Sequence, residues 1–478
     1  MPLLSSPHLY PHRIVRSFLL QLPPALLTLF LVLASAIQQG NAQPKVAFEQ
    51  YTLTNGLTVI LHEDHSAPVA AVVVMYHVGS KNEKLKRTGF AHLFEHMMFQ
   101  GSEHVGDDEH FKLLQEIGAN INGTTSTDRT NYFEVMPSNY LELALYLESD
   151  RMGFLLPAMT QAKLDNQRDV VKNERRQGVD NQPYGTAWEK IARALYPEGH
   201  PYSWPTIGYM EDLSAASLDD VMEFFRIYYA PNNAVLVVAG DFEPKPTKEW
   251  IEKYFAPIPR GTQIERPPLQ PVVLQEEKRS VFEDRVQLPR LYMTWPSAPM
   301  NTREDAVLDV LTDILSAGKN SRLYKSLVYE KQVAQSVNSY QYGMEIAGQT
   351  GIEVTAKPGK ALTEMEAAVN DELSSLLRNG VTEREIQTSI NNKESQLVNS
   401  RATVFGKANS LATHFTLTGD AGNINKEFGR FKDITPDEVV AVARKILSGK
   451  KVVLSIVPDG KPELAAERRT LEKKGGVE

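Results

Sequence analysis

Two hydrophobic periods alternate along the chain. Leu57-Thr-Val-Ile-Leu61 and Val69 to Tyr76 are short, nearly continuous apolar runs rich in β-branched residues, a pattern that predicts buried strands. Leu141 to Arg151, Arg303 to Tyr329 and Thr382 to Val398 space apolar residues three and four apart, which predicts helices, and the charged run Lys163 to Gln177 also reads as a helix. Strands and helices mixed in this way read as α+β, with each sheet covered by helices.

The pattern is written twice. Ser217-Leu-Asp-Asp-Val leads to Arg226, and Ala234-Val-Leu-Val-Val-Ala-Gly-Asp241 follows. A gap-free echo stands 218 residues later, where Thr435-Pro-Asp-Glu-Val leads to Arg444 and Val452-Val-Leu-Ser-Ile-Val-Pro-Asp459 follows. In both copies a Ser or Thr N-cap with acids in the first turn opens an amphipathic helix, and an apolar run then predicts a strand. Helix-then-strand endings recur by chance, but a constant offset near half the length favours duplication. Pro257, Pro259, Pro267, Pro268 and Pro271 mark an extended connection between the copies. The expected layout is a first domain over 43–258, a linker over 259–280, a second domain over 281–466 and a charged tail over 467–478.

Residues 1–42 stand outside this scheme. Arg13 and Arg16 precede the apolar run Ala25 to Ala36, and small-x-small sites end at Ala36 and Ala42. That order predicts a secretory signal, cut after Ala42 in preference to Ala36. Gln21, Pro23 and Pro24 leave the run short of the ~20 apolar residues a membrane span needs, so a membrane is a partner only if the segment stays uncut. Export, most plausibly to a periplasm, is the expectation.

Composition then narrows the chemistry. The 478 residues include no cysteine, which excludes disulfides, thiol nucleophiles and thiolate metal sites. The net charge of −8 becomes −10 once the two arginines leave with the signal, and it argues against nucleic acid as a partner. Catalysis would have to rest on His, carboxylates, hydroxyls or a metal held without sulfur.

The stretch Gly89-Phe-Ala-His92-Leu-Phe-Glu95-His96-Met-Met-Phe99 meets that condition. His92 and His96, at i and i+4, project from one helical face and can share a metal. Zinc brings the pKa of a water it binds towards ~7, and Glu95, one residue before the second His, is placed to accept that proton. The order H-x-x-E-H is the inverzincin arrangement. Surface histidines on an amphipathic helix are the bland alternative, which the neighbouring Leu93, Phe94, Met97 and Met98 weaken because they bury the helix. A tetrahedral zinc needs a third protein ligand. The charged helix from Lys163 to Gln177 offers Asp169 and Glu174, and the residues alone do not choose between them. In Asn122-Gly-Thr-Thr-Ser126, the residues alone favour a hairpin turn at Asn-Gly.

From residue 48 to 460 the chain resembles the pitrilysin/insulinase family of zinc metallopeptidases, and within it the half-length members similar to mitochondrial processing peptidase subunits. The resemblance runs through Leu53-Thr-Asn-Gly-Leu-Thr-Val59, Gly79-Ser80 with Glu83, the His92–His96 motif with Gly101, Asn122 to Tyr132, His200-Pro-Tyr and Ser321-Arg-Leu-Tyr324. It implies two mainly antiparallel α+β domains forming half of a clamshell, and one zinc per chain held by His92, His96 and Glu174 with Glu95 as general base. It also implies that Asn122, Gly123, Thr124, Thr125 and Ser126 form an edge strand that pairs with the substrate backbone. Two departures stand out. Gln167 takes the place of a second-shell glutamate seven residues before Glu174. In the second half, the family's Arg and Tyr that clamp the substrate carbonyl fall on Val328 and Gln335. Arg322 and Tyr324 lie a turn earlier and do not take over the role. The resemblance therefore implies a zinc endopeptidase of peptides or small unfolded proteins, paired with a homologous subunit that supplies the Arg/Tyr pair. A non-catalytic peptide-binding or assembly subunit that keeps a metal site, and a maturation peptidase for one dedicated peptide, are the alternatives.

Overall fold

The computed structural model describes residues 45–466 and the backbone of 471 and 472. The expected signal segment and all but those two residues of the expected tail lie outside the described residues. The first sheet contains β1 (Glu49–Thr52), β2 (Thr58–Glu63), β3 (Val69–Tyr76), β4 (Asn120–Thr125), β5 (Thr130–Pro137) and β6 (Ala234–Gly240) in the order β1-β2-β6-β3-β5-β4. The second contains β7 (Lys278–Asp284), β8 (Arg290–Ser297), β9 (Ala334–Gly343), β10 (Gly348–Ala356), β11 (Val452–Pro458) and β12 (Leu471–Glu472) in the order β12-β7-β11-β8-β10-β9. Apart from the outer strands β1 and β12, the two orders are the same. Both sheets are mainly antiparallel, with parallel pairs at β2–β6, β7–β11 and β7–β12. The fold is α+β.

The helices that position the site are α1 (Phe90–Met97), α2 (Leu141–Phe154), α3 (Gln161–Arg175), α4 (Ala187–Leu195) and α5 (Leu218–Tyr228). In the second half they are α6 (Arg303–Ser316), α7 (Leu362–Asn379), α8 (Glu383–Ser400), α9 (Val404–Thr418) and α10 (Pro436–Leu447). Ser217 and Thr435 cap α5 and α10 through their side chains, so the repeated N-cap pattern has one structural meaning in both copies.

The runs in β6 and β11 are apolar throughout because both faces of each sheet are covered. On one face of the first sheet, Val59, Val72, Val74, Leu236 and Val238 pack with α1, α2, α3 and α5. Its other face is covered by α9, a helix of the second half, which lies along β3 and β6. The exchange is mutual. Ala187 and Ile191 of α4, from the first half, pack on Phe282, Tyr292, Leu454 and Ile456 of the second sheet. Asn131 Nδ2 donates to Asn409 Oδ1 at 2.9 Å, and Phe133 and Phe405 meet with ring centroids 4.3 Å apart. Neither sheet keeps a dry second face without the other half.

A buried ionic knot ties the same interface. The Lys81 side chain is fully buried, with Nζ 3.1 Å from Asp128 Oδ1 and also paired with Glu345. His77 Nε2 lies 2.7 Å from Glu345 Oε2, and the Tyr202 hydroxyl donates to Asp128 at 2.6 Å. The backbone N–H of Glu345 donates to Asp128 Oδ2 at 3.1 Å. Burial works to raise the Glu345 carboxyl, but the hydrogen bond with His77 and the Lys81 ammonium hold it down at about 2.

Three expectations change. The apolar spacing from Arg303 to Tyr329 is not one helix: α6 ends at Ser316, Gly318 has φ 78°, and Tyr324–Glu330 forms a separate π-helical turn. A left-handed glycine just past a helix end stops it. The helix expected over Lys163 to Gln177 starts at Gln161 under a Thr160 cap, and its α geometry ends at Arg175, before a π-helical stretch at Arg176–Asp180. Regular structure resumes at Lys278, inside the stretch expected as linker. Among the described residues no helix is long and apolar enough to cross a membrane.

Lys81→Met would leave the Asp128 and Glu345 carboxylates buried without their cation, so urea denaturation should show a loss of about 3–5 kcal/mol. A loss under 1 kcal/mol would mean that the knot does not hold the halves together.

Candidate metal centre

The centre begins with a two-turn helix that needs help to exist, since so short a segment is marginal in isolation. Its N-terminus is fixed from outside. Gly89 stands at φ 86°, and a Cβ there would lie 2.7 Å from the Ile207 carbonyl oxygen. The Glu83 carboxyl accepts from the Gly89 N–H at 2.9 Å and from the Ala91 N–H at 2.8 Å, satisfying two N–H groups at the start of the helix. Burial pushes the Glu83 carboxyl well up, opposed by those two hydrogen bonds. Leu93, Phe94 and Met97 anchor the buried face of α1, with the Phe94 ring 4.3 Å from that of Tyr229. His92, Glu95 and His96 are left on the partly open face.

The structure brings Glu174, near the end of α3, to the two histidines. Glu174 Oε2 lies 3.3 Å from His96 Nε2 and 3.8 Å from His92 Nε2. One ligand atom from each of the three residues falls within 4.8 Å of the others. A tetrahedral zinc with bonds of about 2.0–2.1 Å spaces its ligand atoms about 3.3 Å apart, so two imidazole nitrogens and a carboxylate oxygen fit that ion in both chemistry and spacing. Asp169, the other acid offered by this helix, is exposed and outside the group. Gln167 is buried two turns before Glu174 on the same side of α3. Arg175, next in sequence to Glu174, donates to the Gly208 carbonyl at 2.7 Å and to Glu189 at 2.8 Å, which fixes the end of α3.

Burial first, and then the neighbouring His96, push His92 down to about 4, so its ring is neutral at pH 7 and free to bind a metal. Burial raises the Glu95 carboxyl above its ordinary value. Glu95 Oε2 accepts from Thr125 Oγ1 at 2.6 Å. Across from it, a Cβ on Gly123 would stand 3.1 Å from Glu95 Cγ and 3.2 Å from Oε1, so the missing side chain leaves room beside that carboxylate.

Asn122, Gly123, Thr124 and Thr125 lie inside β4, the terminal strand of the first sheet, and Ser126 follows it. The Asn-Gly pair is thus mid-strand, with Gly123 opposite Tyr132, and the chain turns at 126–129 instead. Arg129, in that turn, reaches back to the Thr124 carbonyl at 2.9 Å, and its charge is felt at Glu95. Neither Arg129 nor Arg175 was legible as a site residue. One sits in a hairpin tip and the other in a charged helical run, and their targets are distant in sequence.

Among the described residues one other group has metal-ligand spacing: His110, Glu134 and Glu148, all buried. Arg151 already supplies the cation there, paired with Glu148 and 3.5 Å from Glu134, while burial pushes the pKa of the Glu134 carboxyl up and that of the His110 ring down. In the second half, α6 presents Asp309 and Asp313 at i and i+4, and the Lys393 ammonium lies 3.6 and 3.4 Å from them. The positions named for a carbonyl clamp are also occupied otherwise. Val328 packs on the second core, Gln335 is exposed at the start of β9, Arg322 is held by Glu385 at 2.7 and 2.8 Å, and Tyr324 packs on the core.

In the metal-free protein the His92 ring should stay neutral at pH 5.5, where an unperturbed imidazole of pKa 6.5 is mostly charged. The folded state then binds fewer protons than the unfolded one, so the stability tied to this group is full above 6.5 and falls as the pH drops towards 4. NMR titration of the ring checks this, and a midpoint at or above 6.5 would contradict it.

Residues 58–202 match the family model described as Insulinase (Peptidase family M16), and residues 215–393 match one described as Peptidase M16 inactive domain. The chain is 27% identical over 424 residues to "Zinc protease PqqE" of Helicobacter pylori, covering 87% of this chain and 94% of that protein. It resembles the crystal structure of a protease from Helicobacter pylori with a TM-score of 0.81 and 26% identity, covering 87% of this chain and 100% of the other. The first half of the periplasmic protease PqqL from Escherichia coli shares the fold at 18% identity, with a TM-score of 0.68 over 87% of this chain and 93% of that one.

Proposed function

Starting from the insulinase (M16) family of peptidases, to which this chain belongs, we propose that it is a zinc-dependent endopeptidase acting on peptides or small unfolded proteins. The observation that carries the proposal is the convergence of His92, His96 and Glu174 beside a buried Glu95 and an edge strand. Zinc held by the three ligands would supply Lewis-acid polarisation of a carbonyl. Glu95, with Oε2 engaged by Thr125, would take the proton of the attacking water on Oε1, where Gly123 leaves space. Asn122 to Thr125 would hold an extended peptide by its main chain, a mode indifferent to side-chain identity. Ser126, just past the strand, would bound that edge.

Export to a periplasm belongs to the same proposal. It rests on the N-terminal sequence and on the likeness to a protein described as periplasmic. The chain would work with a homologous subunit that brings the Arg/Tyr pair, because Val328 has no donor and Gln335 offers a neutral amide in place of that pair's donors. Loss of a transition-state donor reduces rate about 10²–10³-fold. Those two residues also favour a second reading, a peptide-binding subunit that holds metal without catalysis.

Peptide hydrolysis by the mature chain, alone and with an Arg/Tyr-bearing relative, separates the two. The proposal predicts chelator-sensitive cleavage, a rate at least 10²-fold higher with the partner, and loss of cleavage in Glu95→Gln with zinc retained. Cleavage that survives chelator or Glu95→Gln would overturn the zinc mechanism. Bound zinc and bound peptide without cleavage in either preparation would favour the second reading.

A further inference from the structure

Just past the end of β4, in the turn at 126–129, Thr127 joins the wall of a cavity of about 510 Å³. Aromatic rings dominate this wall: Trp188, Tyr196, Tyr202, Trp204, Tyr340 and Tyr342. Trp188 and Tyr342 are 46% and 48% exposed and open to solvent, whereas Tyr196, Tyr202 and Trp204 are buried. Their polar tips are largely spent elsewhere. The Tyr202 hydroxyl donates to Asp128, Trp204 Nε1 donates to the Ser80 carbonyl at 2.9 Å, and the Tyr340 hydroxyl meets Thr294 at 2.9 Å. Glu189, the charged residue of the wall, is taken up by Arg175. What the cavity offers a visitor is ring faces, which suit a large apolar or aromatic group and not a charged one.

Its place relative to the metal centre is fixed at two points. Thr127 is two residues past Thr125, which holds Glu95, so at most about 7 Å of chain separates the two. Arg175, the residue that follows Glu174, donates to Glu189 of the wall at 2.8 Å. We propose that this cavity is a specificity pocket that receives a large aromatic side chain two or three residues from the bond to be cut, on a peptide laid along β4. The proposal rests on the peptidase reading above. Backbone pairing alone gives no register, and the pocket supplies one.

The test uses neutral Gly/Ser/Ala peptides of about a dozen residues that carry a single Phe, moved one position at a time. The zinc-loaded mature chain, with its partner if one is needed, digests each peptide, and mass spectrometry locates the cut. The cut should keep a fixed spacing from the Phe and move with it. Trp188→Ala should scatter the cuts, and Trp188→Phe should restore the spacing. In Glu95→Gln, read by fluorescence anisotropy, the Phe peptides should bind about tenfold tighter than the Phe-free peptide, a difference that Trp188→Ala removes. Cuts indifferent to the Phe, or a spacing unchanged by Trp188→Ala, would overturn the pocket while leaving the peptidase reading standing. Absence of cleavage with Phe-dependent binding intact would overturn the peptidase reading and leave the pocket as a binding site.

Discussion

Three ionisable side chains from two helices must be held with their ligand atoms within 4.8 Å of one another at a partly buried place, and the rest of the chain is arranged around that demand. Two histidines and a carboxylate without a metal would relax apart or take up protons unless their backbones were fixed. The short α1 cannot fix itself. Glu83 caps it from a preceding turn, the left-handed Gly89 lets it approach the 207–208 backbone, and Phe94 locks it into an aromatic cluster with α5. Arg175 does the corresponding work at the end of α3. Preorganisation of this kind keeps His92 neutral and the donors in place before any ion arrives.

The duplicated architecture explains how such rigidity is reached from sheets whose two faces both need cover. Each half lends a helix to the other, α9 onto the first sheet and α4 onto the second, and the Lys81–Asp128–Glu345 knot ties the seam. The copies differ in chemistry at comparable helices. In the first half a pair of side chains at i and i+4 is imidazole and faces a carboxylate. In the second, a pair on α6 is carboxylate and faces an ammonium. An ammonium between two carboxylates satisfies them without a metal, so the repeat keeps one centre of this kind among the described residues.

Much of this was legible in the residues themselves. The H-x-x-E-H spacing placed His92, Glu95 and His96 on one face, and the Ser217 and Thr435 caps marked the repeat, because both signals are local. Choosing Glu174 over Asp169 required the resemblance, since both are acids on one charged helix and only the fold turns one inward. Asn122-Gly123 read locally as a turn, but pairing with β5 overrides that preference, and the glycine is needed for the space beside Glu95. The exchange of α4 and α9 and the ring-lined cavity depend on contacts distant in sequence and on tertiary packing, which no periodicity records, while the break after Ser316 is marked by Gly318, which apolar spacing alone passes over.

The most direct test of the central claim is zinc K-edge X-ray absorption on the mature chain loaded with one equivalent of metal. The account predicts a shell of nitrogen and oxygen at about 2.0–2.1 Å with the outer-shell scattering of two imidazoles, reduced to one in His92→Ala and in His96→Ala. Two-imidazole scattering that persists unchanged in both variants would contradict it.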